Sequence, residues 1–113
     1  MPLPRCFAAP RALGLALAVL CGHSMAASDA ESAQRLQVQQ WAANCAACHG
    51  TDGRAVQGAT VPGLAGVPSA TMVEQLQAFK DGKRQATVMH QIAKGLSDAQ
   101  IKAIADYFAA QKP

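Results

Sequence analysis

Apolar residues recur along this chain at helical intervals and nowhere alternate. No alternating run of β-branched or aromatic residues lasts five positions, so no strand is predicted. Val38, Trp41 and Cys45 share one stripe at i, i+3 and i+7 and predict a helix over about 32–46. Residues 49–69, HGTDGRAVQGATVPGLAGVPS, then break the periodicity with repeated glycines and two prolines, and read as loop. A loop that long in a small domain is unusual unless it wraps something. Helix resumes at 69–71, where Thr71 and Glu74 have capping-box spacing and Met72, Leu76 and Phe79 share the inner face; Gly82 is a natural stop. Residues 83–89 read as loop, or a turn of helix at most, and 89–95 as either loop or a short helix of its own. The last helix is the clearest. Ser97 and Gln100 form a capping box ahead of an apolar stripe of Ile101, Ile104, Ala105 and Phe108. The expectation is one all-α domain.

The N-terminus follows a different rule. Arg5 and Arg11 are basic, Ala12 to Cys21 is an apolar run, and Ser24-Met25-Ala26 is a small-x-small processing site. Residues 1–26 therefore read as a secretory signal peptide, too short and wrongly flanked for a membrane span. A lipid anchor at Cys21 fits less well, because Leu20 is bulky where such processing needs a small residue. The expected domain is 27–113, about 87 residues exported to the periplasm. Export changes the meaning of the cysteines. Cys6 and Cys21 leave with the leader, and only Cys45 and Cys48 remain, too few and too close for a disulfide-stapled fold. From residue 27 onward eight Lys and Arg face seven Asp and Glu, a balance that gives no support to nucleic-acid binding. One Trp, one Tyr and two Phe supply a thin core, and domains of this size usually need a staple, a metal or a cofactor.

The candidate chemistry lies in Cys45-Ala46-Ala47-Cys48-His49. A thioredoxin-like disulfide would put the pair at the start of a helix after a strand, where the helix N-terminus lowers the thiol pKa. Here the pair ends a helix and no strand precedes it. Zinc could recruit Cys45, Cys48, His49 and His90, but structural zinc sites usually join a CxxC to a second short pair, and His90 is alone. Covalent haem fits both the spacing and the thin core. Two thiols three residues apart meet the two vinyl groups along one porphyrin edge, and the adjacent histidine turns its imidazole to the iron. Of the methionines beyond the leader, Met72 lies on a helix inner face and reads as core. Met89, between a loop and the final helix, can bring a thioether to the other face; His90 is its rival.

With these residues in hand, the chain resembles the class I c-type cytochromes from the start of the domain to its end. Trp41 stands four residues before Cys45, where that family keeps an aromatic that packs on its last helix, and Tyr107 in IADYFAA matches that helix's aromatic. Pro62 follows His49 by 13 residues, where the family's loop proline lends its carbonyl to the proximal histidine. MHQIAKGLS, residues 89–97, matches MxxIAxxLS, which carries the distal ligand in the family. The resemblance implies the small all-α fold around one covalent haem c, attached at Cys45 and Cys48, ligated by His49 and Met89 and supported by Pro62. His/Met ligation leaves no open iron position, which favours single-electron transfer over a haem enzyme or ligand sensor. FKDGKR and TVMHQIAKG are further similar to the cytochrome subunit of flavocytochrome c sulfide dehydrogenase. That likeness implies redox partner proteins, among them an FAD-containing, sulfide-oxidising subunit; the alternative is a free periplasmic shuttle. Lys80, Lys83, Arg84 and Lys94 cluster near Met89 in sequence and are expected either to rim the haem edge for an acidic partner or to serve the helix end beside them.

Overall fold

The structure, a computed structural model, describes the backbone of residues 13–113 and the side chains from residue 27 onward. The signal-peptide reading of residues 1–26 lies outside the residues described to that extent. The described residues form four α-helices: α1, Leu13–His49; α2, Ser69–Lys80; α3, Met89–Lys94; and α4, Asp98–Ala109. No strand occurs among the described residues. The chain divides into two compact units, residues 1–34 and 35–113. The second holds all the candidate chemistry.

α1 is longer than its stripe predicted. It starts at Leu13 and continues past Ala46 through Cys48 and His49. Nothing between 46 and 49 breaks a helix; the break comes with Gly50, whose N–H still reaches the Ala46 carbonyl at 3.0 Å. The CxxCH motif is thus the last helical turn. The inward face of this stretch runs through the half-buried Val38, Trp41 and Cys45, with Ala42 and His49 fully buried between and beyond them.

α2 begins at Ser69 as expected, but not by the Thr71–Glu74 box. Pro68 precedes the first turn and no side chain caps it. Helix starts three residues earlier than a Thr71 cap would allow, and the Ser69 hydroxyl donates to Asp106 on α4 at 2.6 Å, tying the two helices together. Met72 and Leu76 are buried and Phe79 packs at their edge, as the periodicity predicts. Asp81 and Gly82 close the helix end through N–H bonds to the Gln77 and Phe79 carbonyls. α3 resolves the ambiguous 89–95 segment as a short helix with Ala93 buried.

α4 matches its prediction in every feature. Ser97 Oγ accepts from the Gln100 N–H, the Gln100 side chain accepts from the Ser97 N–H, and Ile101, Ile104, Ala105 and Phe108 are all buried. α2 packs against both α3 and α4. Among the described residues the buried core is Ala42, Met72, Leu76, Ala93, Ile101, Ile104, Ala105 and Phe108. Three of the eight are alanines, so Phe108 and the branched residues carry most of the burial. Each such side chain contributes about 1.5–3 kcal/mol.

The loop from 50 to 68 is irregular but closely tied down. A 3-10 turn spans Thr51–Gly53. The Gly53 carbonyl accepts from both Leu64 and Ala65 N–H, at 2.7 and 3.1 Å, which pinches the loop shut at its base. Gly66 N–H bonds the Phe108 carbonyl, and Arg54 Nε bonds the Lys112 carbonyl, so the loop is also sewn to the end of α4.

Candidate functional site

That pinch positions the loop's proline. With Leu64 fixed to Gly53, Pro62 is carried back over the end of α1, and its carbonyl lies 2.7 Å from His49 Nδ1. A carbonyl can only accept, so Nδ1 carries the proton and Nε2 is left with its lone pair. No partner to Nε2 occurs among the described residues. His49 is also the one buried polar or charged residue among those described, 8% exposed. A buried imidazole with an oriented, unprotonated nitrogen is the arrangement of a metal ligand held by its outer neighbours.

Cys45 and Cys48 stand on the same final turn. Cys45 is half-buried with its Sγ 4.0 Å from the Trp41 carbonyl, whereas Cys48 is exposed. Burial pushes the Cys45 thiol up, and a backbone hydrogen bond offsets this in part. A raised thiol at a helix C-terminus is the reverse of what a nucleophilic redox pair requires. Among the described residues no three His, Cys, Asp or Glu side chains converge as for a metal ion, so Cys45, Cys48, His49 and His90 are not gathered into a zinc site.

Met89 opens α3, half-buried and packed against the core; Met72, by contrast, is 4% exposed within that core. The residues fit a covalent porphyrin: paired thiols on one turn, a neighbouring imidazole with a free Nε2, and a thioether at the head of a short helix. Trp41 packs against the core cluster, while Tyr107 turns its hydroxyl to Asp52 and meets the Phe108 ring edge to face, at 81° and 5.2 Å between centroids.

The four cations near Met89 do not act as one rim. Lys80 Nζ is held by the Leu96 carbonyl and Asp98, at 2.8 and 2.9 Å, and Lys83 is paired with Asp81 at 3.0 Å. These two serve the ends of α2 and α4. Only Arg84 and Lys94 keep their charge uncompensated by a carboxylate. Sequence reasoning missed the Tyr107–Asp52 bond altogether, because 55 residues separate its partners and neither lies in the motif.

Known proteins resemble this chain over most of the same region. The Cytochrome c family profile matches residues 37–112. A thiosulfate dehydrogenase electron acceptor of Thiomonas intermedia is 46% identical over 72 residues, covering 64% of this chain and 33% of that protein. The cytochrome subunit of sulfide dehydrogenase of Chlorobaculum tepidum is 40% identical over 65 residues, 58% of this chain and 57% of that one. Among solved structures, cytochrome c4 of Acidithiobacillus ferrooxidans superposes with a TM-score of 0.55 at 39% identity, over 58% of this chain and 37% of its own. The aligned region thus spans less than two thirds of the length of each of these three proteins. The profile covers the last 13 residues of α1, the pinched loop and all of α2 to α4. The chain belongs to the cytochrome c family, as a small all-α class I c-type cytochrome with covalently bound haem c.

Proposed function

We propose that Cys45 and Cys48 form the two thioether links, that His49 Nε2 and the Met89 sulfur are the axial ligands, and that the protein accepts single electrons in the periplasm from a dehydrogenase of reduced inorganic sulfur. The observation that carries the ligand assignment is the 2.7 Å bond from His49 Nδ1 to the Pro62 carbonyl. It sets the tautomer, stops ring rotation and raises the basicity of Nε2. Haem supplies a one-electron couple whose potential a His/Met pair raises relative to bis-histidine. The chain supplies everything else. α1 presents both thiols and the imidazole from one turn, the pinched loop holds Pro62 against the imidazole, and α3 opens with Met89, packed at the edge of the core.

The donor is read from the sequence likeness of FKDGKR and TVMHQIAKG to the sulfide dehydrogenase cytochrome subunit. On that reading an FAD-containing partner oxidises sulfide and passes electrons singly to this chain. The relative from Thiomonas intermedia supports a second donor of the same class, a thiosulfate dehydrogenase. Among the described residues no helix is long and apolar enough to cross a membrane.

The test is a pull-down of the tagged holo-protein from its host, followed by visible spectroscopy of the eluate. A stoichiometric flavoprotein, with haem reduced on adding sulfide, is the expected result. Reduction by thiosulfate through a flavin-free partner would replace the donor but keep the role. A cytochrome recovered alone, reduced by neither, would overturn the dehydrogenase reading in favour of a free shuttle.

A further inference from the structure

A second site lies beside Met89 but outside the proposed ligand set. Gly82, Arg84, Gln85, Ala86, His90 and Lys94 line a pocket of about 150 Å³. Its two cations are the two that no carboxylate neutralises; the nearby Lys80 and Lys83 are both paired. Arg84 is also held in place. Its guanidinium lies over the Phe79 ring, 4.6 Å from the centroid, and its backbone N–H bonds the Ala78 carbonyl at 3.0 Å. Stacking on a ring face leaves the edge N–H groups of the fork free to bind in the plane. His90 and Lys94, four residues apart on α3, face the same space.

The pocket contains one further oddity. His90 Nδ1 is buried and has no hydrogen-bond partner, the single such side-chain atom among the described residues. Leaving a buried polar atom unpaired forfeits its hydration with no return, so orphans of this kind mark a missing partner. Two uncompensated cations and an orphaned imidazole nitrogen around one small cavity call for the same thing, an oxygen-rich anion.

We infer that Arg84, His90 and Lys94 form an oxyanion-binding pocket, which takes a carboxylate or a phosphate-like group. Arg84 contributes a bidentate fork, Lys94 a point charge and His90 Nδ1 a single hydrogen bond. The oxyanion has two possible sources: a small anion from solution, or a propionate carboxylate of the haem. The second source rests on the family's haem c; neither depends on which residues ligate the iron.

Both sources are tested on isotope-labelled holo-protein. Inorganic phosphate is titrated against chloride at equal ionic strength, and amide shifts are followed by NMR. Saturable shifts confined to 82–86 and 90–94, with binding weakened about tenfold or more in Arg84→Gln and only partly restored in Arg84→Lys, assign the pocket to a free oxyanion. If phosphate does not saturate, the carboxyl resonances of carbon-labelled haem propionates are titrated instead. A propionate pKa raised in Arg84→Gln and in Lys94→Gln assigns the pocket to the cofactor's own carboxylate. An unchanged visible spectrum shows that each variant is folded, and the Lys94 variant carries the same readout should Arg84→Gln fail to fold. No saturable phosphate binding together with unmoved propionate resonances would overturn the inference.

Discussion

Tyr107, near the end of α4, donates its phenol to Asp52 Oδ1 at 2.8 Å, across 55 residues of sequence. Asp52 needs such an anchor. It adopts φ +52°, a left-handed conformation uncommon outside glycine, and its other oxygen is held by Arg54 at 3.2 Å. The bond locks the turn that follows His49 to the last helix, immediately ahead of the pinch that positions Pro62.

Removing that phenol is expected to loosen the loop. Tyr107→Phe should lower stability by about 1 kcal/mol at pH 7, the usual worth of one such bond. The hydrogen bond to Asp52, then burial, pushes the Tyr107 pKa up. The folded state therefore favours the neutral phenol. Its contribution is complete below the unfolded value of about 10 and fades as pH rises through the higher folded value. Denaturant unfolding of wild type and variant should show a gap at pH 7 that closes in strong alkali. A gap independent of pH would count against the bond.

Gly53 is expected to tolerate no side chain. It sits at φ +78°, and a Cβ there would come within 2.8 Å of both the Ala65 nitrogen and Phe108 Cδ1. Gly58 has a similar φ of +82° but open space around it. Gly58→Ala should cost only the backbone penalty, about 1 kcal/mol, and Gly53→Ala clearly more, since the pinch itself must open. Thermal unfolding of the two holo-variants compares them directly. Equal losses would mean that the close approach to α4 is not maintained in solution.

The two methionines should separate cleanly. Met89→Ala is expected to abolish the far-red absorption of methionine-ligated ferric haem while leaving the haem covalently attached. Met72→Ala should keep that band yet destabilise the fold by about 2–5 kcal/mol, the cost of truncating a buried side chain. Visible spectra and denaturant melts of both variants provide the check. Survival of the band in Met89→Ala would move the thioether ligand to Met72, and absence of the band from the wild-type protein would return His90 to consideration.

Asp98 should contribute to stability on the acid side. The Gln77 side chain, and then Lys80, hold its carboxyl below the usual carboxylate range. A depressed folded pKa gives stability that is present above the unfolded value of about 3.9 and lost as pH falls through the folded one. Asp98→Asn should accordingly be less stable than wild type at pH 7, with the difference vanishing in strong acid. Melting temperatures recorded from pH 7 down to pH 2 would show it.

How much of this was legible in the chain depends on the range of the interaction. α4 was readable in full because its cap and its stripe are both local, set by residues three and four apart. The CxxCH chemistry was readable for the same reason, since one helical turn brings both thiols and the imidazole together wherever the chain goes next. Pro62 could be assigned only through resemblance. Thirteen residues of glycine-rich loop allow many paths, and nothing local selects the one that ends on His49.

Where distant groups compete for the same partner, only the folded molecule decided. The Thr71–Glu74 box has correct spacing, yet α2 starts at Ser69, whose hydroxyl goes to Asp106 on another helix. Four cations near Met89 in sequence are equivalent until Asp81 and Asp98 neutralise two of them, leaving Arg84 and Lys94 to share a pocket with His90. Periodicity and spacing act through the backbone's own geometry, so the sequence by itself determined the helices and the haem motif. Charge pairing, burial and the Tyr107–Asp52 clamp depend on which surfaces the packed helices bring within about 3 Å of each other, the reach of a hydrogen bond, and that is a property of the tertiary structure alone.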